Sequence, residues 1–312
     1  MRKQTINTLL LTLTALIWGF AFIAQSMGAS IGAFTFLAAR SWLGAIVIIP
    51  VIYGADYFRA KNGEAHGWAK DQKELRFTLR GGLTCGFFLF AASAAQQMAM
   101  TMNASTAKAG FITAMYVVLV PIVGSLFFRK KISGQIWLCV LISVVGLYLL
   151  CMKNGFEGIA SSDLLLLLCA FLFTFQILSV DYYSPQMDSI RLSLMQFLTT
   201  AILATICAFV FETPVLADIL ACAGPILYCG ILSSGVAYTL QIVAQKALNP
   251  AIASITMCLE SVFAAIGGFL LLKQILTLRE SAGCALIFMA VVLAQIPLTL
   301  RKKEKQTVSG SK

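Results

Sequence analysis

The chain has 312 residues, of which 59% are apolar and only 12% are charged. This composition excludes a soluble globular fold and a disordered chain, because polar side chains are too few to cover a surface in water. The net charge of +10 does not indicate a nucleic-acid partner, because the Lys and Arg residues lie between the apolar runs and form no basic stripe.

Ten apolar runs are long enough to cross a membrane, which takes about 20 residues of helix. They lack the period-2 alternation of a membrane barrel, so we predict an all-α integral membrane protein. A turn at residues 26–32 separates the first two spans, and the run after Met1 is predicted to be an uncleaved span rather than a signal peptide. The predicted spans are residues 7–27, 33–54, 79–99, 106–128, 134–152, 162–181, 190–211, 222–246, 250–272 and 279–299.

The basic residues predict how the chain is oriented. With the N-terminus in the cytoplasm, 18 of the 23 Lys and Arg residues fall on the cytoplasmic side. The other side receives Lys108, Lys153, Lys273 and Arg279. We therefore expect a multi-pass protein of the plasma or inner cell membrane, with a cytoplasmic N-terminus at residues 1–6 and a basic cytoplasmic tail at residues 300–312.

The ten spans divide into two halves of five, and halves with an odd number of spans must be inverted if they share one fold. The segments Gly124 to Lys130 and Gly267 to Lys273 have similar residue spacing and lie 143 residues apart. We therefore predict a first five-helix repeat over residues 7–152 and a second over residues 162–299.

Short segments in four spans resemble the EamA family of the drug/metabolite transporter superfamily. They are Trp18-Gly19, Lys108 to Thr113 with Tyr116 to Pro121, Leu259 to Ala264, and Gly283. The resemblance extends over roughly residues 8–299. It implies ten helices in two inverted five-helix repeats around a central cavity, and the transport of amino acids or other small metabolites, usually outward.

The chain also departs from that family. Members often carry Glu in the short connection that closes each half, where this chain has Lys130 and Lys273. The sixth span lacks the Trp-Gly pair of the first.

Two ionisable residues lie well inside predicted spans. Arg40 is in the second span and Glu260 is in the ninth. An unpaired charge at the centre of a membrane helix costs about 2.5–3.5 kcal/mol, so both need partners. Our hypothesis is that Glu260 is the proton-coupling group of an antiporter. The alternative is that Arg40 pairs with a carbonyl group or with Glu260 as a structural clamp.

Lys108 enters the fourth span from its outer end. It is either an anchor at the membrane interface or, together with Arg40, a counter-charge for an anionic or zwitterionic substrate.

Amides inside a membrane need hydrogen-bond partners, and so does a polar substrate. We therefore predict that side chains of the third and eighth spans line a cavity. The Gly and Pro residues of these spans either interrupt the helices at a binding site or, as we favour for the glycines, serve ordinary helix packing. Aromatic residues of the first and fourth spans could stack on a substrate or belong to the packed core. These candidates are Gln96, Gln97, Tyr238, Gln241, Trp18 and Tyr116.

Enzyme motifs, metal-ligand spacings and cofactor loops are missing from the sequence, so we expect no catalytic residues, no metal and no cofactor. The sequence favours a secondary transporter that moves an amino acid, amine or drug-like compound by alternating access, as an exporter and with proton coupling. The expected partners are a small-molecule substrate and the lipid bilayer, and a homodimer is left open. The alternatives are a channel or a non-transporting membrane protein, either a receptor or an intramembrane enzyme acting on a lipid-linked substrate.

The inverted arrangement predicts that reporter fusions after Lys131 and Lys273 report opposite sides of the membrane, because five spans separate them. Alkaline phosphatase and fluorescent protein fusions measure this. A fusion at Lys305 is the control and should match Lys131. Signals from the same compartment at Lys131 and Lys273 would rule out the inversion.

Overall fold

The computed structural model describes residues 2–63, 72–102, 106–129, 132–152, 160–272 and 276–296, and its regular structure is helical. Ten helical segments among these residues are long and apolar enough to span a membrane, as predicted. We number them as spans one to ten in chain order. Their bounds are Gln4–Ile31, Ala33–Lys61, Glu74–Thr101, Ala109–Phe127, Gly134–Cys151, Ser161–Gln186, Ser189–Phe211, Ala223–Gln245, Pro250–Leu270 and Leu278–Gln295.

Most spans are single helices, and three are composite. The single helices are α1 (Arg2–Met27), α2 (Ala33–Lys61), α3 (Gln72–Thr101), α6 (Gly134–Cys151), α7 (Ser161–Tyr183), α8 (Ser189–Phe211) and α14 (Leu278–Gln295). The fourth span is α4 (Thr106–Thr113) and α5 (Tyr116–Phe128), and the ninth is α12 (Pro250–Met257) and α13 (Leu259–Leu272). The short α9 (Leu216–Ala221) precedes the eighth span, which joins α10 (Ala223–Leu227) to α11 (Tyr238–Gln245) through a π-helical stretch, Tyr228–Ala237.

The second and third helices extend further than the sequence predicted. α2 continues to Lys61 rather than residue 54, and α3 begins at Gln72 rather than residue 79. The prediction counted only apolar residues. A helix can continue with charged residues once it leaves the hydrocarbon, because water then solvates those side chains.

The packing of the spans has the inverted symmetry that the sequence predicted. The third and fourth spans pack against the sixth, and the eighth and ninth pack against the first. The second packs on the seventh and the fifth on the tenth. Exchanging each span with the span five places later reproduces these neighbours, so the fold consists of two inverted five-helix repeats.

Each repeat contributes to both packed groups of spans. We call the third, fourth and sixth spans the first body, and the first, eighth and ninth spans the second body. The second span with the seventh, and the fifth span with the tenth, form two further pairs alongside the bodies. We call these two pairs the two seams. Because each body mixes spans from both repeats, the two bodies are related by the same inversion.

Glycines let the spans approach closely at equivalent places. A Cβ at Gly86 of the third span would lie 2.6 Å from the Gln196 carbonyl oxygen of the seventh. In the other repeat, a Cβ at Gly230 of the eighth span would lie 2.8 Å from Cβ of Leu43 in the second. At the seam of the fifth and tenth spans, a Cβ at Gly283 would lie 2.6 Å from the Gly146 carbonyl oxygen. Small residues thus set the helix spacing where lipid gives little driving force for association.

The helix breaks that correspond between the two repeats lie in the fourth and ninth spans. The third span is continuous, because its glycines serve close packing rather than interruption. The fourth span breaks between Thr113 and Tyr116, and the ninth breaks between Met257 and Leu259. Tyr116 and Leu259 are 143 residues apart, which is the register found between Gly124 and Gly267.

We expect Gly86→Ala to lower stability by about 1–3 kcal/mol, because the added methyl group overpacks the contact with the seventh span. The apparent Tm of the purified protein in detergent measures the loss. Gly54→Ala is the matched control, since a Cβ there meets nothing within 4 Å. Equal Tm values for the two variants would contradict the close contact.

Candidate functional site

A cavity lies between the two bodies at the level of the broken helices. The volume open to the centre of a water molecule is about 40 Å³. One water needs about 10–15 Å³ on this measure, so the cavity has room for roughly three. Its lining residues are Trp18, Phe22, Gln25, Arg40, Gln96, Thr113, Tyr116, Phe173, Gln176, Ile177, Ser233, Tyr238, Gln241, Met257 and Glu260.

The structure brings most of the predicted site residues to this one cavity. Those that line it are Trp18, Arg40, Gln96, Tyr116, Tyr238, Gln241 and the predicted coupling residue Glu260. Gln97 lies outside the wall, fully buried, where its Nε2 donates to the Gln25 carbonyl oxygen at 3.0 Å. The side chain of Lys108 lies outside the described part of the structure.

Glu260 and Tyr116 meet across the cavity. The Tyr116 hydroxyl donates to Glu260 Oε1 at 2.9 Å, and the Glu260 side chain is buried. Tyr116 is the first residue of α5, and Glu260 lies in the first turn of α13. The positive end of the α13 dipole therefore favours a negative charge at Glu260. The bond joins the two bodies, because the fourth span belongs to the first body and the ninth to the second.

Gly19 explains the Trp-Gly pair of the first span. A Cβ at this position would lie 2.7 Å from the backbone oxygen of Glu260 and 2.6 Å from Cβ of Phe263. The first span therefore lies directly on the ninth at the turn that carries Glu260. Beside it, the Trp18 and Tyr238 rings pack with their centroids 4.6 Å apart.

Arg40 is buried in the cavity wall, with its guanidinium 5.8 Å from the centre of the Phe36 ring. Within the described part of the chain, no carboxylate oxygen lies within 4.0 Å of it, so the predicted alternative of an Arg40–Glu260 clamp is not formed. Its Nε also lacks a hydrogen-bond partner among those residues. A buried guanidinium with an unused Nε–H is suited to an anionic group in the cavity.

Sequence reasoning missed several lining residues. These are Phe22, Gln25, Thr113, Phe173, Gln176, Ile177, Ser233 and Met257. Gln25 and Gln176 are amides within apolar spans, so the argument that singled out Gln96 applies equally to them. Gln176 also holds a small amide network: it donates to Gln196 Oε1 at 3.1 Å and accepts from Gln241 Nε2 at 3.4 Å.

One seam is held closed at both ends. At the face of the membrane where the first span begins, which we call the N-terminal face, Arg191 Nη2 donates to both carboxylate oxygens of Asp56 at 2.7 Å. Arg59 donates to Asp188 there at 2.5 Å. At the opposite face, Glu212 accepts from the Thr35 backbone N–H at 2.8 Å and from its hydroxyl at 2.7 Å. These bonds tie the second span to the seventh.

Comparison with known proteins gives the family. The EamA-like transporter family matches residues 5–152 and 160–295. The chain belongs to this family. An uncharacterized transporter from Archaeoglobus fulgidus is 27% identical over 299 residues, which cover 94% of this chain and 87% of that protein. The family and this relative identify a multi-pass membrane transporter and point away from an enzyme.

A solved crystal structure has the same fold. It is 18% identical in sequence and aligns with a TM-score of 0.72 over 93% of this chain and 96% of that one. At this identity the likeness concerns the fold alone.

The charge cluster at the N-terminal face predicts a pH-dependent stability. Burial alone would raise the pKa of Asp188, but the Arg191 backbone N–H and the Arg59 and Arg191 guanidinium groups outweigh it, and the pKa is lowered. A lowered pKa means that Asp188 stabilises the fold above the usual aspartate range and that this contribution is lost as the pH falls through the lowered value.

We expect Asp188→Asn to lower the apparent Tm near neutral pH by about 2–4 °C, for a loss of about 1 kcal/mol. Asn still caps α8 through its amide oxygen, so the variant removes the charge and the acceptor for Arg59 but keeps the cap. The difference in apparent Tm between the variant and wild type should become smaller below about pH 4. A difference in apparent Tm that stays constant as the pH falls well below about 4 would show that the charge of Asp188 contributes nothing.

Proposed function

We propose that the protein is a secondary active transporter that exports a small polar metabolite by alternating access and is coupled to protons. The cavity between the two bodies carries this proposal. It holds a carboxyl group, a guanidinium group, amides and aromatic rings at the point where two broken helices meet. Amino acids, amines and drug-like compounds are the candidate substrates, and Arg40 favours those with an anionic group.

Alternating access requires that the contacts closing the cavity at each membrane face can break. In this structure the seam of the second and seventh spans is tied at each face by side-chain bonds rather than by continuous packing alone. Rocking of the bodies would release the bonds at one face while the other face stays closed. Charged pairs at a water-filled edge suit this role, because water can replace each partner as the seam opens.

Glu260 is the group we assign to proton coupling. A carboxylate binds either a proton or a cationic group of the substrate, so occupancy by one excludes the other. Such exclusive binding is what an antiporter needs, since the empty carrier must return with the proton. Protonation also weakens the bond from Tyr116 by removing the negative charge of its acceptor, which loosens a tie between the two bodies.

The orientation follows from the basic residues. Arg59, Lys61, Arg191 and Lys246 lie at the N-terminal face, whereas Arg279 lies at the opposite face. Because cytoplasmic flanks carry the excess of Lys and Arg, we assign the N-terminal face to the cytoplasm of a cell membrane. Export then runs from this face to the opposite one.

The proposal predicts that Glu260→Gln abolishes proton-driven accumulation while exchange survives. Purified protein in liposomes is tested with a panel of radiolabelled amino acids and amines, with and without a pH gradient. A gradient of one pH unit supplies about 1.4 kcal/mol and sustains about a tenfold concentration ratio in wild type. A glutamine side chain at this position cannot take up a proton, so the variant should reach a ratio near one.

Glu280→Gln is the matched control. Glu280 is also a buried carboxyl group, but it caps α14 through Thr277 and lies outside the cavity. Glutamine retains that cap, so this variant should accumulate substrate like wild type. Proton-driven accumulation by Glu260→Gln would remove the coupling role. A wild-type protein that neither accumulates nor exchanges any compound would overturn the transport proposal and favour a receptor or an intramembrane enzyme.

A further inference from the structure

The inverted symmetry extends to individual residues of the cavity wall. Phe22 and Gln25 line the cavity from the first span, and Phe173 and Gln176 line it from the sixth. Each pair is three residues apart, which places both side chains on one helix face. The two pairs are separated by 151 residues. The same Phe-x-x-Gln pattern therefore faces the cavity from corresponding helices of the two repeats.

Each of these glutamines receives a hydrogen bond from a second glutamine. Gln97 of the third span donates to the backbone carbonyl oxygen of Gln25 at 3.0 Å. Gln241 of the eighth span donates to Gln176 Oε1 at 3.4 Å. Gln97 and Gln241 are 144 residues apart, as are Gly86 and Gly230, whose helix contacts correspond. Each repeat thus pairs a glutamine of its first helix with a glutamine of its third, through the backbone oxygen of Gln25 in one repeat and the side-chain oxygen of Gln176 in the other.

The two groups lie on opposite sides of the cavity. Gln25 and Gln97 are near the ends of α1 and α3, which finish at the face opposite the N-terminal face. Gln176 and Gln241 are in the second halves of the sixth and eighth spans, which finish at the N-terminal face. We call Phe22, Gln25 and Gln97 the distal half-site, and Phe173, Gln176 and Gln241 the proximal half-site.

Both half-sites keep unused hydrogen-bonding atoms. Gln25 is 5% exposed and Gln241 is 1% exposed, and both line the cavity. Among the residues that the structure describes, the Oε1 atoms of Gln25, Gln97 and Gln241 have no partner. Buried acceptors without partners are costly, so a ligand that brings hydrogen-bond donors gains by binding beside them.

The charged groups, in contrast, occur once. Leu43 in the second span and Thr199 in the seventh make equivalent contacts with Gly230 and Gly86, and this correspondence sets the register of the two spans. In that register Gln196 corresponds to Arg40. In the register of the fourth and ninth spans, Val117 corresponds to Glu260. The cavity therefore combines one charged centre with two copies of an amide and aromatic group.

We propose that the distal and proximal half-sites are alternative binding places for one polar group of the substrate. The group carries hydrogen-bond donors and adjoins an apolar part that packs on the phenylalanine. It binds at the distal half-site when the cavity opens to the opposite face and at the proximal half-site when the cavity opens to the N-terminal face. This inference rests on the proposed transport function.

Sided exchange kinetics test the inference with the matched variants Gln25→Met and Gln176→Met. The probe is the labelled amino acid or amine that wild type exchanges fastest, and each face is titrated while the other is saturated. Gln25→Met should raise the half-saturation concentration about fivefold at the opposite face, for one lost hydrogen bond, and leave the N-terminal face nearly unchanged. Gln176→Met should instead raise the half-saturation concentration at the N-terminal face, because it removes the bond that positions Gln241, whose Oε1 is the unused acceptor of the proximal half-site. The exposed Gln186→Met is the control and should change neither.

The outcomes separate the two proposals. Equal effects at both faces, or no effect at either, would overturn the half-sites while transport by wild type still stands. Absence of exchange by wild type would overturn transport itself and the half-sites with it. If the Gln176→Met protein does not fold, Phe22→Leu and Phe173→Leu form a second matched pair, for which the same crossed pattern is expected.

Discussion

The hydrogen bond from Tyr116 to Glu260 is the interaction on which the central region depends. A carboxyl group in a membrane protein needs partners within the protein, since lipid offers none. Here the partner comes from the other body, and the broken ninth helix directs its positive end at the carboxylate. The requirement to satisfy Glu260 therefore links the two helix breaks, the cavity and the contact between the bodies.

Close helix packing makes that arrangement feasible. Gly19 lets the first span lie on the turn that carries Glu260, which brings Trp18 to the cavity wall next to Tyr238. Gly86 likewise lets the third span lie close to the seventh, and Gly230 lets the eighth span lie close to the second. These contacts place a glycine backbone against side chains of the neighbouring helix, so a larger residue would push the helices apart. The glycines therefore fix the spacing of the bodies.

The sequence predicted the spans and the inverted repeats because both follow from apolar length and from an odd number of spans per half. It also located Glu260, because an acid in an apolar run is conspicuous. The breaks in the fourth and ninth spans left no signal, since Ala114, Met115 and Cys258 are ordinary helix residues. The Asp56–Arg191 pair was hidden because its members are 135 residues apart in the chain. Gln25 and Gln176 were detectable through the repeated Phe-x-x-Gln pattern, but only by aligning the first span with the sixth.

Arg40 and Glu260, the two charged groups of the cavity, lie in spans that both pack on spans of the second body. The second span, which carries Arg40, packs on the eighth, and the ninth span, which carries Glu260, packs on the first. Both contacts are to the second body, so in the proposed transport cycle rocking would preserve the relation of Arg40 to Glu260 and change that of Glu260 to Tyr116. If the two repeats placed the same residues in the cavity, no group would distinguish the two faces of the membrane. The single Glu260, with Val117 at its counterpart, supplies that difference, so in the proposed antiporter the proton gradient rather than the fold would set the direction of transport.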